Sequence, residues 1–116
     1  VKKASETMYY FMVKKTEPGK VFFQIDVFWT RIGKKGPVDY FNAYPGRFEK
    51  LHNKDNKELG QSGMVGFDAI FNNVHKAGVK YMVVEVEKYD YEPLKSIKMS
   101  YDYLNMNVHF KSDYSK

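Results

Sequence analysis

Three polar residues with metal-binding side chains lie toward the ends of three apolar segments. Asp26 lies in VFFQIDVF, His52 in FEKLHNK and Glu85 in KYMVVEV. Segments that are apolar on both faces are typical of strands in a covered parallel sheet. Because ligand sites of such sheets lie where the carboxyl ends of the strands meet, we expect the three side chains to share one rim. Two carboxylates and one imidazole suit Mn²⁺, Mg²⁺ or Co²⁺, and also Zn²⁺.

Each of these residues also has an ordinary structural interpretation. An aspartate at a strand end is commonly a turn or cap residue, and a single histidine is commonly half-buried and hydrogen-bonded. One of Glu85 and Glu87 must face inward, and the pattern alone leaves open which one does. His75 and His109 lack an acidic partner at useful spacing, so we interpret both as surface residues. The joint occurrence of three candidates at equivalent positions favours the shared site.

The elements that must position these residues are a leading helix and three consecutive strand–helix units. The predicted strands cover about 21–28, 48–54 and 80–86, and the predicted helices cover about 7–15, 37–44, 67–77 and 93–105. Prolines at the starts of two helices and Gly78 at the end of another support these bounds. The alternation predicts a parallel sheet. Residues 108–116 have no periodic pattern, and we expect this tail to fray.

Two of the predicted helices have a clear apolar face. The helix at 67–77 places Phe67, Ile70, Phe71 and Val74 at helical spacing, and the last helix does the same with Leu94, Ile97, Tyr101 and Leu104. The leading helix is apolar at Met8, Phe11 and Met12. The loop from Asp55 to Gly66 is longer than most connections and is therefore a candidate functional loop.

The composition limits the size of the fold and the class of partner. The 116 residues, of which 43% are hydrophobic and 17% aromatic, suffice for a core but for one domain at most. The lack of cysteine excludes disulfides and thiolate metal sites and fits a reducing, cytoplasmic location. No apolar run approaches the roughly 20 residues of a membrane span. The net charge of +5 comes from scattered lysines, so we expect no nucleic-acid partner.

Four segments together resemble the C-terminal region of the xylose-isomerase-like TIM-barrel sugar phosphate isomerases/epimerases. They are FFQIDVFW at 22–29, YPGRFEKLHNKD at 44–55, GMVGFDAIF at 63–71 and YMVVEVEKY at 81–89. The match runs from about Met8 to about Leu104 in the order and spacing of the family. The resemblance implies an α/β fold that is the C-terminal part of a TIM (β/α)8 barrel. The three strands would be its sixth, seventh and eighth, and one such chain would leave the barrel incomplete.

The resemblance also implies a metal centre. In such enzymes a divalent metal is held by Glu, Asp, His and Glu from four successive strands. Asp26, His52 and Glu85 match the last three of these ligands. The first glutamate would belong to a strand that precedes Val1.

The resemblance further implies contacts with a substrate. Lys54 and Asp55 match the family's H-x-K-D motif and would lie at the substrate rim. Trp29 stands three residues after the metal aspartate, where some epimerases of the family have a histidine. Its indole could form a wall against one face of the sugar, but it could not form the hydrogen bonds that an imidazole forms.

The implied activity is isomerisation or epimerisation of a sugar or sugar phosphate by proton transfer through an enediolate. Glu85 would be both a metal ligand and one of two carboxylates that move the proton. The second carboxylate would be the glutamate that precedes this chain, so we expect the chain alone to be inactive. We also expect it to self-associate or to bind the missing N-terminal part of its barrel. The alternative is a non-catalytic binding or structural protein on a partial barrel.

Overall fold

The computed structural model describes residues 8–32, 36–111 and 113–114. In chain order its elements are helix α1 (Met8–Lys15), strand β1 (Phe23–Asp26), helices α2 (Val27–Ile32) and α3 (Pro37–Ala43), strand β2 (Phe48–Lys54), helix α4 (Phe67–Ala77), strand β3 (Tyr81–Glu85) and helix α5 (Pro93–Met106). The strands form one parallel sheet in the order β1-β2-β3. Residue 7 and tail residues 112, 115 and 116, for which the sequence analysis makes predictions, lie outside the described residues.

The register of the sheet brings the carboxyl ends of its strands to one edge. Asp26 of β1 lies beside His52 of β2. His52 lies beside Val83 of β3, and Glu85 lies beside Lys54. Because side chains alternate between the two faces of a strand, His52 and Lys54 share a face with Val83 and Glu85. The sheet therefore points the candidate ligands to the same side.

The first strand is shorter than the predicted range of 21–28. It ends at Asp26, and Val27 begins the short helix α2, which the sequence analysis did not predict. Asp26 Oδ1 accepts a hydrogen bond from the backbone N–H of Trp29 at 2.8 Å, and the hydroxyl of Thr30 donates to the carbonyl of Asp26 at 2.6 Å. A side chain that bonds the N–H three residues ahead is an N-cap. This cap turns the chain into a helix where the apolar pattern continues.

The core lies between the sheet and helices α3 and α4. Phe48 and Leu51 of β2 are fully buried, as is Phe41 of α3. The predicted apolar face of α4 is confirmed, since all four of its members are buried: Phe67, Ile70, Phe71 and Val74. Burying each such side chain stabilises the fold by roughly 1.5–3 kcal/mol. Gly78 ends α4 in the left-handed conformation at φ 78°, which favours glycine because it has no Cβ.

The predicted apolar face of helix α5 is mostly exposed. Of its four residues only Leu104 is buried, whereas Leu94, Ile97 and Tyr101 are exposed. The helix instead buries Ser96 and Ser100. Their small hydroxyl side chains allow close approach of the loop before α4 and bond to it, as described below. The apolar stripe of α5 consequently faces away from the described core.

Helix α1 also leaves its predicted apolar face exposed, since Met8, Phe11 and Met12 are all accessible to water. It is held instead by Val13, which is fully buried, and by the buried side chain of Arg47. This guanidinium donates hydrogen bonds to the carbonyl oxygens of Val13 at 3.0 Å and Val21 at 3.1 Å. A cation at the C-terminal end of a helix also interacts favourably with the helix dipole.

The tail was expected to fray, but its described part packs on the core. Phe110 makes an edge-to-face contact with Phe71 at 5.3 Å between ring centroids, and Tyr114 contacts Phe110 at 6.1 Å. The backbone N–H of Lys111 donates to the hydroxyl of Tyr114 at 2.7 Å. Aromatic residues without helical or strand periodicity can thus still add to a core. Among the residues described, no helix has both the length and the apolar character needed to cross a membrane.

Candidate metal centre

The structure brings Asp26, His52 and Glu85 together at the carboxyl edge of the sheet. Nδ1 of His52 is 3.4 Å from Oδ2 of Asp26, and Nε2 of His52 is 3.0 Å from Oε2 of Glu85. One ligand atom from each residue lies within 4.8 Å of the other two. All three side chains are partly buried and remain accessible from the rim. This spacing allows one cation to contact all three groups.

The surroundings of each ligand fix its orientation. Oδ1 of Asp26 is used by the cap of α2, so Oδ2 is the oxygen that faces His52. The Nε2 amide of Gln24 lies 3.3 Å from Nδ1 of His52, on the same side as Asp26. The imidazole is thus flanked by two carboxylates. Two carboxylate oxygens and an imidazole nitrogen are a suitable donor set for a divalent cation, which would offset the negative charge of the carboxylates.

The choice between the two glutamates that the sequence left open is resolved by position. Glu85 is the last residue of β3 and contacts His52. Glu87 lies in the following loop, where its Oε2 is 3.2 Å from Nζ of Lys54. Glu87 is therefore at the same rim as the triad but forms an ion pair outside it.

The ammonium of Lys54 lies in an aromatic and acidic environment beside the triad. Its side chain is almost fully buried, with Nζ 5.2 Å from the centre of the Phe28 ring and 5.7 Å from that of Trp29. Such distances are typical of cation–π contacts. The side chain of Trp29 itself is exposed. Helix α2 thus places an indole face at the rim, and the end of β2 places a lysine there, next to the three candidate ligands.

Asp55 does not extend toward the triad. Its Oδ2 accepts a hydrogen bond from the backbone N–H of Gly60 at 3.0 Å, and its Oδ1 accepts from the N–H of Asn56 at 2.6 Å and also bonds the hydroxyl of Ser62. Both carboxylate oxygens are directed into the loop that follows β2. These hydrogen bonds shape the loop, and a contact of Asp55 with a substrate stays a prediction.

A buried glutamate in the same loop had no signal in the sequence. Oε1 of Glu58 accepts hydrogen bonds from the hydroxyl of Ser96 at 2.5 Å and from the N–H of Asp90 at 3.0 Å. The Ser96 hydrogen bond lowers the pKa of the Glu58 carboxyl, against the opposing effect of burial. The next residue, Leu59, donates its N–H to the hydroxyl of Ser100 at 3.1 Å. Because α5 makes these contacts through serines, its hydrophobic pattern did not reveal them.

Parallel βα units with candidate ligands at the carboxyl ends of the strands are the arrangement found in (β/α) barrels and in open parallel sheets. Two solved structures of sugar phosphate isomerases/epimerases from Parabacteroides distasonis have this fold over the matched region. One has a TM-score of 0.83 and 33% identity and matches 89% of this chain and 36% of its own chain. The other has a TM-score of 0.84 and 37% identity and matches 91% of this chain and 38% of its own.

These comparisons confirm the predicted resemblance to sugar phosphate isomerases/epimerases. They also confirm the fold class, a part of a TIM barrel with three consecutive βα units and a leading helix. The chain spans little more than a third of the length of the structures that it matches. No protein-family model matches the sequence, and no curated protein matches it significantly.

Proposed function

We propose that this chain is the part of a divalent-metal-dependent sugar or sugar phosphate isomerase/epimerase that supplies three metal ligands. The observation that carries the proposal is the convergence of Asp26, His52 and Glu85 on one point from three successive strands. The donor set fits Mn²⁺, Mg²⁺ or Co²⁺, and Zn²⁺ as well. A further carboxylate from a strand outside this chain would complete the set. The similarity to sugar phosphate isomerases/epimerases supports the reaction class.

The three residues have distinct roles in this proposal. A bound divalent cation would acidify the carbon next to a sugar carbonyl and offset the charge that develops there. Glu85, whose side chain is 38% exposed, can reach a substrate and remove or return the proton. Asp26 is held by its cap hydrogen bond with Oδ2 toward the site. His52 supplies the neutral nitrogen ligand between the two carboxylates.

Lys54 and Trp29 are the proposed substrate contacts. The indole of Trp29 is exposed and can cover the C–H face of a sugar ring or chain. Lys54 offers N–H donors to sugar oxygens once its pair with Glu87 opens toward the substrate. Both residues lie at the same rim as the triad, so one small polyol could contact them together with the ligands. A cytoplasmic location stays a prediction from the lack of cysteine.

Metal binding is tested on the chain itself by calorimetric titration with Co²⁺, followed in parallel by visible absorption. We expect one equivalent to bind, and we expect His52→Ala and Glu85→Gln to lower the affinity at least about 10-fold, because loss even of a residue that only supports a ligand has this effect. His75→Ala is the matched control, since His75 lies on the exposed side of α4. Equal affinity in all four proteins would overturn the site.

Catalysis is tested in a protein that contains this chain within a complete barrel. A ketose or ketose phosphate incubated in D₂O should gain deuterium at the carbon next to its carbonyl, as measured by NMR. Glu85→Gln should abolish the exchange, because the proton-transferring carboxylate is lost. A complete barrel that binds Co²⁺ but does not catalyse this exchange would support the alternative, a non-catalytic binding protein.

A further inference from the structure

Two loops follow the candidate ligands, and a buried carboxylate connects them. Residues 55–66 follow β2, which carries His52, and residues 86–92 follow β3, which carries Glu85. Glu58 lies in the first loop, and its Oε1 accepts hydrogen bonds from Asp90 in the second loop and from Ser96 in α5. We call these three residues the Glu58 clamp. The Glu58 side chain thus connects the loop that follows His52 to the loop that follows Glu85.

The Glu58 clamp is an energetically demanding arrangement. Glu58 is only 1% exposed, and removing a carboxylate from water is costly unless hydrogen bonds compensate. Its Oε1 has two donors, but its buried Oε2 has no hydrogen-bond partner among the described residues. Both donors belong to other segments, Asp90 to the second loop and Ser96 to α5. The clamp therefore holds the first loop against the second loop and α5, in addition to any effect on stability.

The clamp bears on the end of β3. This strand pairs only with β2 in the described sheet, and Glu85 is its last residue. The chain that follows is held by an ion pair between Lys54 and Glu87 and by another between Lys57 and Asp90. The second pair is partly exposed to water, with side-chain exposures of 38% and 39%, and solvent-exposed pairs contribute little. The hydrogen bond from the Asp90 N–H to buried Glu58 is less screened by water and salt than an exposed ion pair is.

We infer that Glu58 is a positioning residue, which anchors the loop at 86–92 and thereby keeps the carboxylate of Glu85 beside His52. Its effect on the metal centre rests on the proposed function, whereas its effect on the end of β3 does not. Glu58 would touch neither metal nor substrate. It acts through Asp90 and Ser96, which follow Glu85 along the chain.

The test combines hydrogen exchange with Co²⁺ titration of the chain and its variants. Glu58→Ala should make the amides of residues 86–90 exchange several-fold faster than in the unsubstituted chain, while those of β1 change less. It should also lower the Co²⁺ affinity by about 10-fold, the loss that is typical when a supporting partner of a ligand is removed. Glu58→Gln should retain most of the affinity, because its amide oxygen can accept the same two hydrogen bonds.

Val13→Ala is the control for a merely structural effect. It opens a cavity at the one buried position of α1, away from the triad, and so lowers stability without touching the clamp. The inference is overturned if Val13→Ala lowers the Co²⁺ affinity as much as Glu58→Ala, or if Glu58→Ala leaves exchange at 86–90 unchanged. If the unsubstituted chain binds no Co²⁺, the proposed function fails, and the exchange data alone decide whether Glu58 anchors the end of β3.

Discussion

Nε2 of His52 lies 3.0 Å from Oε2 of Glu85, although the register of the sheet does not place these residues side by side. His52 pairs with Val83, and Glu85 pairs with Lys54. The contact therefore depends on the direction of the two side chains along their strands as well as on strand pairing. A ligand pair of this kind is sensitive to whatever fixes the end of β3.

The double role of Asp26 leads to the first prediction. Asp26→Asn should keep the cap of α2, because asparagine is an equally good N-cap, but should lose the charge that favours a cation. Asp26→Ala should lose both and should lower the free energy of unfolding by about 1 kcal/mol, the typical value of an N-cap. Urea denaturation and Co²⁺ titration measure the two effects separately.

The two substitutions serve as controls for each other. Both should weaken Co²⁺ binding, whereas only the alanine should weaken folding. If Asp26→Asn bound Co²⁺ as tightly as the unsubstituted chain, Asp26 would be a cap residue and nothing more. If Asp26→Ala were as stable as Asp26→Asn, the hydrogen bond to the N–H of Trp29 would not contribute to the fold.

The second prediction concerns the acid side of the stability curve. The hydrogen bond from Ser96 lowers the pKa of Glu58 below its ordinary value of 4.5, although burial opposes the shift. A carboxyl with a lowered pKa in the folded state stabilises the fold at pH values above its unfolded pKa. That contribution is lost as the pH falls through the folded pKa. We expect Glu58→Gln to flatten the stability curve in this acid range.

Urea denaturation at a series of pH values between about 3 and 6 measures this effect. Ser96→Ala should flatten the curve in the same direction, because it removes the hydrogen bond that is the largest cause of the shift. A curve for Glu58→Gln that runs parallel to that of the unsubstituted chain would show that Glu58 titrates alike in the folded and unfolded states.

The third prediction is that the purified chain of 116 residues has no measurable epimerase activity on ketoses. The described residues supply three candidate ligands and one candidate proton-transferring carboxylate at an open rim. Two-sided proton transfer needs a second carboxylate, and exclusion of water needs a closed pocket. Turnover that disappears in Glu85→Gln would refute this prediction and would mean that a second copy or another local group supplies the missing carboxylate.

The sequence predicted the triad because strand ends in a parallel sheet converge by geometry. The strand order placed Asp26 and His52 at one rim, whereas the choice of Glu85 over Glu87 rested on the family resemblance and not on the pattern. Helix α2 was missed because the apolar pattern continues to Phe28, whereas the chain turns into a helix where the Trp29 N–H donates a hydrogen bond to Oδ1 of Asp26. The sequence allowed Asp26 to be either a helix cap or a candidate metal ligand. It did not show that one side chain could take both roles.

The role of α5 was not predictable for a related reason. Its hydrophobic periodicity indicated an apolar face with Leu94, Ile97 and Tyr101. The residues that the helix buries instead include Ser96 and Ser100. Periodicity identifies an apolar face but does not identify what the face contacts. An apolar stripe that is exposed in one chain can be buried in a larger barrel or in an assembly, and this leads to the last prediction.

The last prediction is that the chain forms a dimer or a larger species at micromolar concentration. Both sides of the partial barrel expose large apolar side chains: Met8, Phe11 and Met12 on α1, Tyr81, Val83 and Val84 on β3, and Leu94, Ile97 and Tyr101 on α5. Burying each aliphatic or phenylalanine side chain is worth roughly 1.5–3 kcal/mol. The outer strands β1 and β3 also leave backbone groups open to pairing. Association buries these groups and is therefore favoured.

Light scattering and sedimentation measure the molecular mass of the species in solution. Ile97→Lys should shift the population toward the monomer, because a charge in the middle of the α5 stripe opposes its burial. Asn72→Lys adds the same charge to the exposed side of α4, which lacks such a stripe, and should leave the association unchanged. A monomer with one cooperative thermal transition would contradict the prediction. It would show that three strand–helix units fold stably while their apolar edges remain in water.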